Sequence, residues 1–240
     1  MKNILNLPYI VLGVCAAALL VACSSGASQS GLGASALVPS GAHAAIPLSV
    51  SYSVLHSFKG GADDGEEPFA GLVNVKGTLY GTTYEGGTYN RIGEGTVFSI
   101  TPSGTETVLH SFGGSQDGAY PFASLVNVKG TLYGTTGKGG ANGDGTVFSI
   151  TPSGTETMLY SFKGGPGDGE QPRAGLINVK GTLYGTTYLG GDCSSSSGCG
   201  TVFSITPSGT ETMLYSFKGT SGDGKYPFAG LINVKGTLYG

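Results

Sequence analysis

Apolar and β-branched residues along most of this chain fall in short runs separated by glycine-rich polar turns. Four such runs make one unit: Leu72 to Asn74, Thr78 to Thr83, Thr96 to Thr101 and Thr105 to Phe112. They are rich in Val, Ile, Thr, Tyr and Phe, the residues that suit a pleated, half-buried surface. None follows a helical 3.6-residue period. The same four-run pattern then recurs. LVNVKGTLYG or LINVKGTLYG stands at 72–81, 125–134, 176–185 and 231–240, and GTVFSITPSGTET at 95–107, 145–157 and 200–212. Phe58, Phe112, Phe162 and Phe217 each close a unit, at spacings of 50 to 55 residues.

The turns predict how the runs pair. Asn74-Val75-Lys76-Gly77 joins the first and second runs, and Thr101-Pro102-Ser103-Gly104 joins the third and fourth. Each puts a turn-initiating residue first and a glycine (Gly77, Gly104) fourth. Both are therefore expected to form a type I turn followed by a left-handed residue, the three-residue hairpin loop with a bulge. Pro102 suits the second turn position because its φ is already fixed near −65°. Two hairpins per unit of about 50 residues make a four-stranded antiparallel blade, and the expected fold is an all-β propeller. A solenoid is the alternative, but its rungs are shorter and its turns are not paired hairpins. Blades packed face to face bury both faces of each sheet. That explains why Val97-Phe98-Ser99-Ile100 is nearly all apolar or small rather than alternating.

The succession LYGTT, a Gly-Gly pair, GTVF, a turn and LYSF resembles the GloVer tandem repeat of bacterial surface proteins described as choice-of-anchor proteins. The resemblance covers about residues 48–240. It is also kelch-like, since Gly86-Gly87, Gly139-Gly140 and Gly190-Gly191 follow the second run. The chain has no tryptophan, so kelch functions do not carry over. The resemblance implies a surface protein with an anchor and brings no established activity.

Composition adds compartment. Glycine is abundant, at 45 residues, but the net charge of −3 and the regular large apolar residues argue for turns between strands, not disorder. A mildly acidic chain offers no basic face for nucleic acid. Lys2 and the apolar stretch Ile10 to Ala22 read as a secretory signal, too short for a transmembrane helix. Leu20-Val21-Ala22-Cys23 resembles a lipobox, which makes 1–22 a lipoprotein signal peptide and Cys23 the lipidation site. With Ser24 following, sorting to an outer membrane is expected if the source has two membranes. Residues 23–47 form a Ser/Gly/Ala-rich tether, and 48–240 the repeat domain. Cys193 and Cys199 lie in an exported region, where a disulfide is expected.

Chemistry is faint in the sequence. In a blade, the connections between the second and third strands and between successive units share one face. Their sequences vary (84–95, 137–145, 188–200), so that face is the candidate binding face. Asp64, Asp117, Asp168 and Asp223 each open a D-G-x-x-P loop. One carboxylate per loop is too few for calcium, so these residues are expected to be structural turn formers. His56 and His110 occupy a slot filled by Tyr160 and Tyr215 elsewhere, which reads as a packing position. No catalytic residue, metal ligand set or cofactor motif stands out, and no His–carboxylate pairing is expected. The leading expectation is a non-enzymatic binding or adhesion scaffold. Its partners would be membrane lipid through the anchor and an extracellular glycan or protein. An envelope enzyme directed at polysaccharides or lactones, and a purely structural envelope component, remain the alternatives. Finally, 48–58 supplies only a fourth run and 231–240 only a first and second. The expectation is an incomplete propeller, completed by further repeats past Gly240 or, as the less favoured alternative, by a second chain, so that these 240 residues alone would be marginally stable or aggregate.

Overall fold

The computed structural model describes residues 52–89, 93–113 and 116–240, and the described residues contain strands and no helix. Cys23, the signal segment and the tether lie outside them.

Three four-stranded antiparallel sheets follow one another along the chain. The first joins Val73–Val75, Thr78–Thr83, Thr96–Ile100 and Glu106–Ser111 in sequence order. The second joins Val126–Val128, Thr131–Thr136, Thr146–Ile150 and Glu156–Ser161. The third joins Ile177–Val179, Thr182–Thr187, Thr201–Ile205 and Glu211–Ser216. A hairpin of Ile232–Val234 and Thr237–Tyr239 ends the series. All four predicted runs are strands, with ends moved by a residue or so.

One of the two turn expectations holds. Gly104 N–H donates to Thr101 O at 2.9 Å, Thr101 N–H to Thr105 O at 3.0 Å, and Gly104 has φ 88°. This is the three-residue loop with its glycine in the left-handed region. The other turn differs. Val75 pairs directly with Thr78, so the loop is the two residues Lys76 and Gly77, with φ of 53° and 93°. Positive φ at both places identifies the type I′ family, whose twist matches that of the flanking strands. Asn74 acts from outside this loop, its Oδ1 accepting from Gly77 N–H at 3.0 Å.

The third strands of the first two units are buried on both sides, as expected, while in the third unit Val202 and Ser204, on one face, are half-buried. Val97 and Phe98 are 0% and 3% exposed, and Val147 and Phe148 are both 0%. The cores lie between sheets. Val75, Tyr80, Val97 and Phe112 of the first unit pack with Leu125, Leu132, Phe148 and Ile150 of the second. The second and third units repeat the arrangement. Each closing phenylalanine meets the next third strand edge-on: Phe58–Phe98 at 4.9 Å, Phe112–Phe148 at 5.1 Å and Phe162–Phe203 at 5.1 Å between centroids. Second-strand threonines add polar ties, with Thr82 Oγ1 donating to Ala123 O and Thr135 Oγ1 to Ala174 O. First strands of successive units also touch. A bulge recurs in each fourth strand. Val97 pairs with His110 but Phe98 with Val108, so Leu109 is the extra residue.

A further feature lies outside the four-run pattern. The Asp-Gly loop of each unit forms a two-residue antiparallel ribbon with the segment after the second strand. Gly65 faces Gly86, Gly118 faces Gly139 and Gly169 faces Gly190. These ribbons place the two variable connections of each unit side by side.

Candidate functional site

The site grows from the strained residue before each proline. Glu67, Tyr120, Gln171 and Tyr226 have φ of 58°, 57°, 54° and 58°. A residue before proline ordinarily takes an extended conformation. Hydrogen bonds on both sides hold two of them, Tyr120 and Gln171, in the left-handed region, and Glu67 and Tyr226 are each held on one side. Tyr120 N–H donates to Glu94 O, Gln171 N–H to Asp144 O and Tyr226 N–H to Cys199 O, each at 2.7–2.8 Å to the preceding unit. The carbonyls of Glu67, Tyr120 and Gln171 accept from Tyr84, Gly137 and Tyr188, each just after its own second strand. Such strain persists only where the surroundings over-determine it, and it recurs at functional sites.

These turns project the residue after each proline (Phe69, Phe122, Arg173, Phe228) into one continuous aromatic row. Phe69 stacks on Phe122 at 6.5 Å between centroids, and Tyr84 leans on Phe122 at 4.5 Å and Tyr120 at 4.9 Å. Arg173 continues the row where a phenylalanine would stand. Its guanidinium carbon lies 4.2 Å from the Tyr188 centroid, 5.5 Å from Phe122 and 5.6 Å from Phe228. Nη2 donates to Gln171 Oε1 at 2.9 Å, while Nε is buried without a partner. Tyr188 meets Tyr226 at 5.1 Å. Where the second unit has Gly137 in place of a tyrosine, the Phe122 ring sits against the backbone. The ends of the row are open to solvent, with Phe69 62% and Phe228 58% exposed. Beside it, Tyr120, Glu94, Lys138 and Gly139 line an open groove. Burial pushes the Tyr84 and Tyr120 hydroxyls up, with nearby carboxylates adding to it. Sequence reading identified the D-G-x-x-P loops but missed this row. The signal was present in the next residue of each loop, PFAG, PFAS, PRAG and PFAG.

Cys193 and Cys199 form the expected disulfide. It closes the loop whose Cys199 carbonyl holds Tyr226, and Ser195 of the same loop hydrogen-bonds the Tyr226 hydroxyl and lowers its pKa.

The aspartates do form turns, by a route beyond Asp-Gly geometry. Asp64 Oδ1 accepts from Gly65 N–H and Oδ2 from Lys59 N–H, both at 2.8 Å. Burial would raise its pKa, but the Lys59 N–H, His56 and Gly65 N–H together hold it below the usual carboxylate range. Asp117, Asp168 and Asp223 accept equivalent backbone pairs. The slot residue completes each set, and here the expectation of no His–carboxylate pairing is overturned. His56 Nε2 lies 3.1 Å from Asp64 Oδ1 and His110 Nε2 2.9 Å from Asp117 Oδ2. Tyr160 and Tyr215 donate to Asp168 and Asp223 at 2.8 and 3.1 Å. The slot is also a packing position, since each ring stands edge-on to its closing phenylalanine. Its polar role was hidden because the partners lie seven or eight residues away across a loop.

A glutamate from the following unit joins three of these sets. His56, Asp64 and Glu106 bring their ligand atoms within 4.8 Å of one another, as do His110, Asp117 and Glu156. Glu211 stands by Tyr160 and Asp168 in the third. Burial raises the Glu156 and Glu211 carboxyls to about 7. One oxygen of Glu106, Glu156 and Glu211 is buried without a hydrogen bond.

A tandem array of like four-stranded antiparallel sheets, sharing cores between neighbours, defines the class: an all-β repeat protein. The model of the Gloeobacter/Verrucomicrobia repeat matches residues 27–240, and the chain belongs to that family. No curated protein matches it.

Proposed function

We propose that this chain is a lipid-anchored cell-envelope protein whose repeat sheets are blades of a kelch-like β-propeller. Its aromatic row binds extracellular glycan without catalysis. The observation that carries the binding reading is the row itself, from Phe69 through Phe122, Arg173 and Tyr188 to Phe228. Aromatic faces stack on the apolar C–H faces of sugar rings, and a guanidinium within the row offers directional donors to hydroxyls or carboxylates. The propeller reading is supported by the shared inter-sheet cores and by the contact of successive first strands, the arrangement that radial packing gives. The row and the ribboned loops lie together, consistent with one binding face. Anchoring rests on the lipobox at Cys23.

A glycan array probed with the full chain tests the reading. Binding to at least one glycan class is expected, lowered tenfold or more by Arg173→Ala and by Tyr188→Ala. Binding that is unaffected by both changes would place the site elsewhere. Palmitate labelling lost in Cys23→Ala tests the anchor.

A further inference from the structure

We propose that the His56–Asp64–Glu106 and His110–Asp117–Glu156 clusters are two equivalent zinc sites that staple successive units together. Each gathers one imidazole nitrogen and two carboxylates, contributed by a fourth-strand position, the following loop and the fourth strand of the next unit. A mixed nitrogen and oxygen donor set of three protein ligands suits Zn²⁺, with water in the remaining position. Calcium, which needs about six to eight oxygens, does not fit.

Three observations converge on a cation. First, tetrahedral zinc holds its nitrogen and oxygen ligands roughly 3.3 Å apart. The His–Asp pairs stand at 3.1 and 2.9 Å, and all three ligand atoms already lie within 4.8 Å. Second, Glu106 and Glu156 each bury a carboxylate oxygen that has no hydrogen-bond partner. An unmade bond of this kind is costly, and a metal would supply the missing partner. Third, the aspartates are oriented by backbone N–H groups on both oxygens, as outer-shell donors orient metal-binding carboxylates. Two carboxylates and Zn²⁺ are together neutral, which suits a partly buried junction. Access exists: the His56 and Asp64 side chains are 23% and 15% exposed, and both His110 and Asp117 are 22% exposed.

The third junction is the internal control. Tyr160 replaces the histidine and donates its hydroxyl proton to Asp168, leaving no imidazole for the metal. The described residues therefore hold two sites, not three.

Zinc uptake by the full chain, stripped with chelator and dialysed, is measured by titration calorimetry and by the visible absorption of the cobalt-substituted protein. The double variant His56→Tyr/His110→Tyr, which copies the third junction, is expected to bind two equivalents fewer than the parent. Any smaller difference, including no uptake by either protein, overturns the proposal. Should the double variant fail to fold, Tyr160→His decides. It is expected to gain one equivalent at Asp168 and Glu211, and no gain overturns the proposal equally.

Discussion

Phe112 stands edge-on to Phe148 across the junction of the first two sheets, their centroids 5.1 Å apart and both side chains fully buried. Neither ring belongs to a core made by its own sheet alone. Truncating such a ring removes transfer free energy and leaves a cavity, at about 3–5 kcal/mol. Phe148→Ala should therefore lower stability by that amount in chemical denaturation. Gly134→Ala should act on the same ring from the other side, since an added Cβ would come 2.5 Å from Phe148 Cζ. A melting temperature unchanged by either substitution would contradict the shared core.

The Lys-Gly hairpin loops carry a removable strain. Lys129 sits at φ 54° beside Gly130 at 93°. A side chain in the left-handed region costs roughly 1–2 kcal/mol, and asparagine tolerates it better than lysine. Lys129→Asn, which makes the preferred Asn-Gly pair of a type I′ turn, should stabilise by about 0.5–1 kcal/mol in urea unfolding. Destabilisation would mean that the lysine side chain makes a contact worth more than the strain.

Glu211 makes stability depend on pH. Burial first, then Asp168, raises its carboxyl to about 7, with Tyr160 and Lys163 opposing. Its ordinary value is 4.5, so between these limits the folded protein holds a proton that the unfolded chain has released. This contribution is fully present below about 4.5 and is lost as pH rises through about 7. Thermal melts should show greater stability at pH 5 than at pH 8, and Glu211→Gln should flatten that difference. An unchanged slope in the variant would assign the dependence to other groups.

Reducing Cys193–Cys199 should act on binding more than on folding. A ring this short restrains few unfolded conformations, so the loss of stability is about 2 kcal/mol or less. The loop it closes holds Tyr226 through the Cys199 carbonyl and Ser195. Glycan affinity should fall on reduction while the sheets persist by circular dichroism. Equal affinity before and after would separate the loop from the aromatic row.

How much of this was legible in the sequence divides along the distance over which each feature is encoded. The strands were, because Val97-Phe98-Ser99-Ile100 and its copies state burial on both faces within four residues. The Thr-Pro-Ser-Gly loop was too, because Pro102 and Gly104 fix their own dihedrals. Asn74-Val75-Lys76-Gly77 misled because Asn74 suggests the start of a turn, whereas it caps the hairpin from within the strand. The His56–Asp64–Glu106 cluster spans two units, and the row from Phe69 to Phe228 spans more. Their members are neighbours only after the sheets stack, so spacing within one unit could not reveal them.

Because each core belongs to a junction, the elementary object of this protein is the interface between two copies rather than the copy itself. A duplicated unit placed between two others would present the same Val, Phe, Leu and Ile positions to each neighbour, and both new junctions would form from residues already suited to them. Gene duplication can thus add or remove whole units without inventing a new core. The connections between second and third strands, which contribute no residue to those junction cores, are left free to diverge copy by copy.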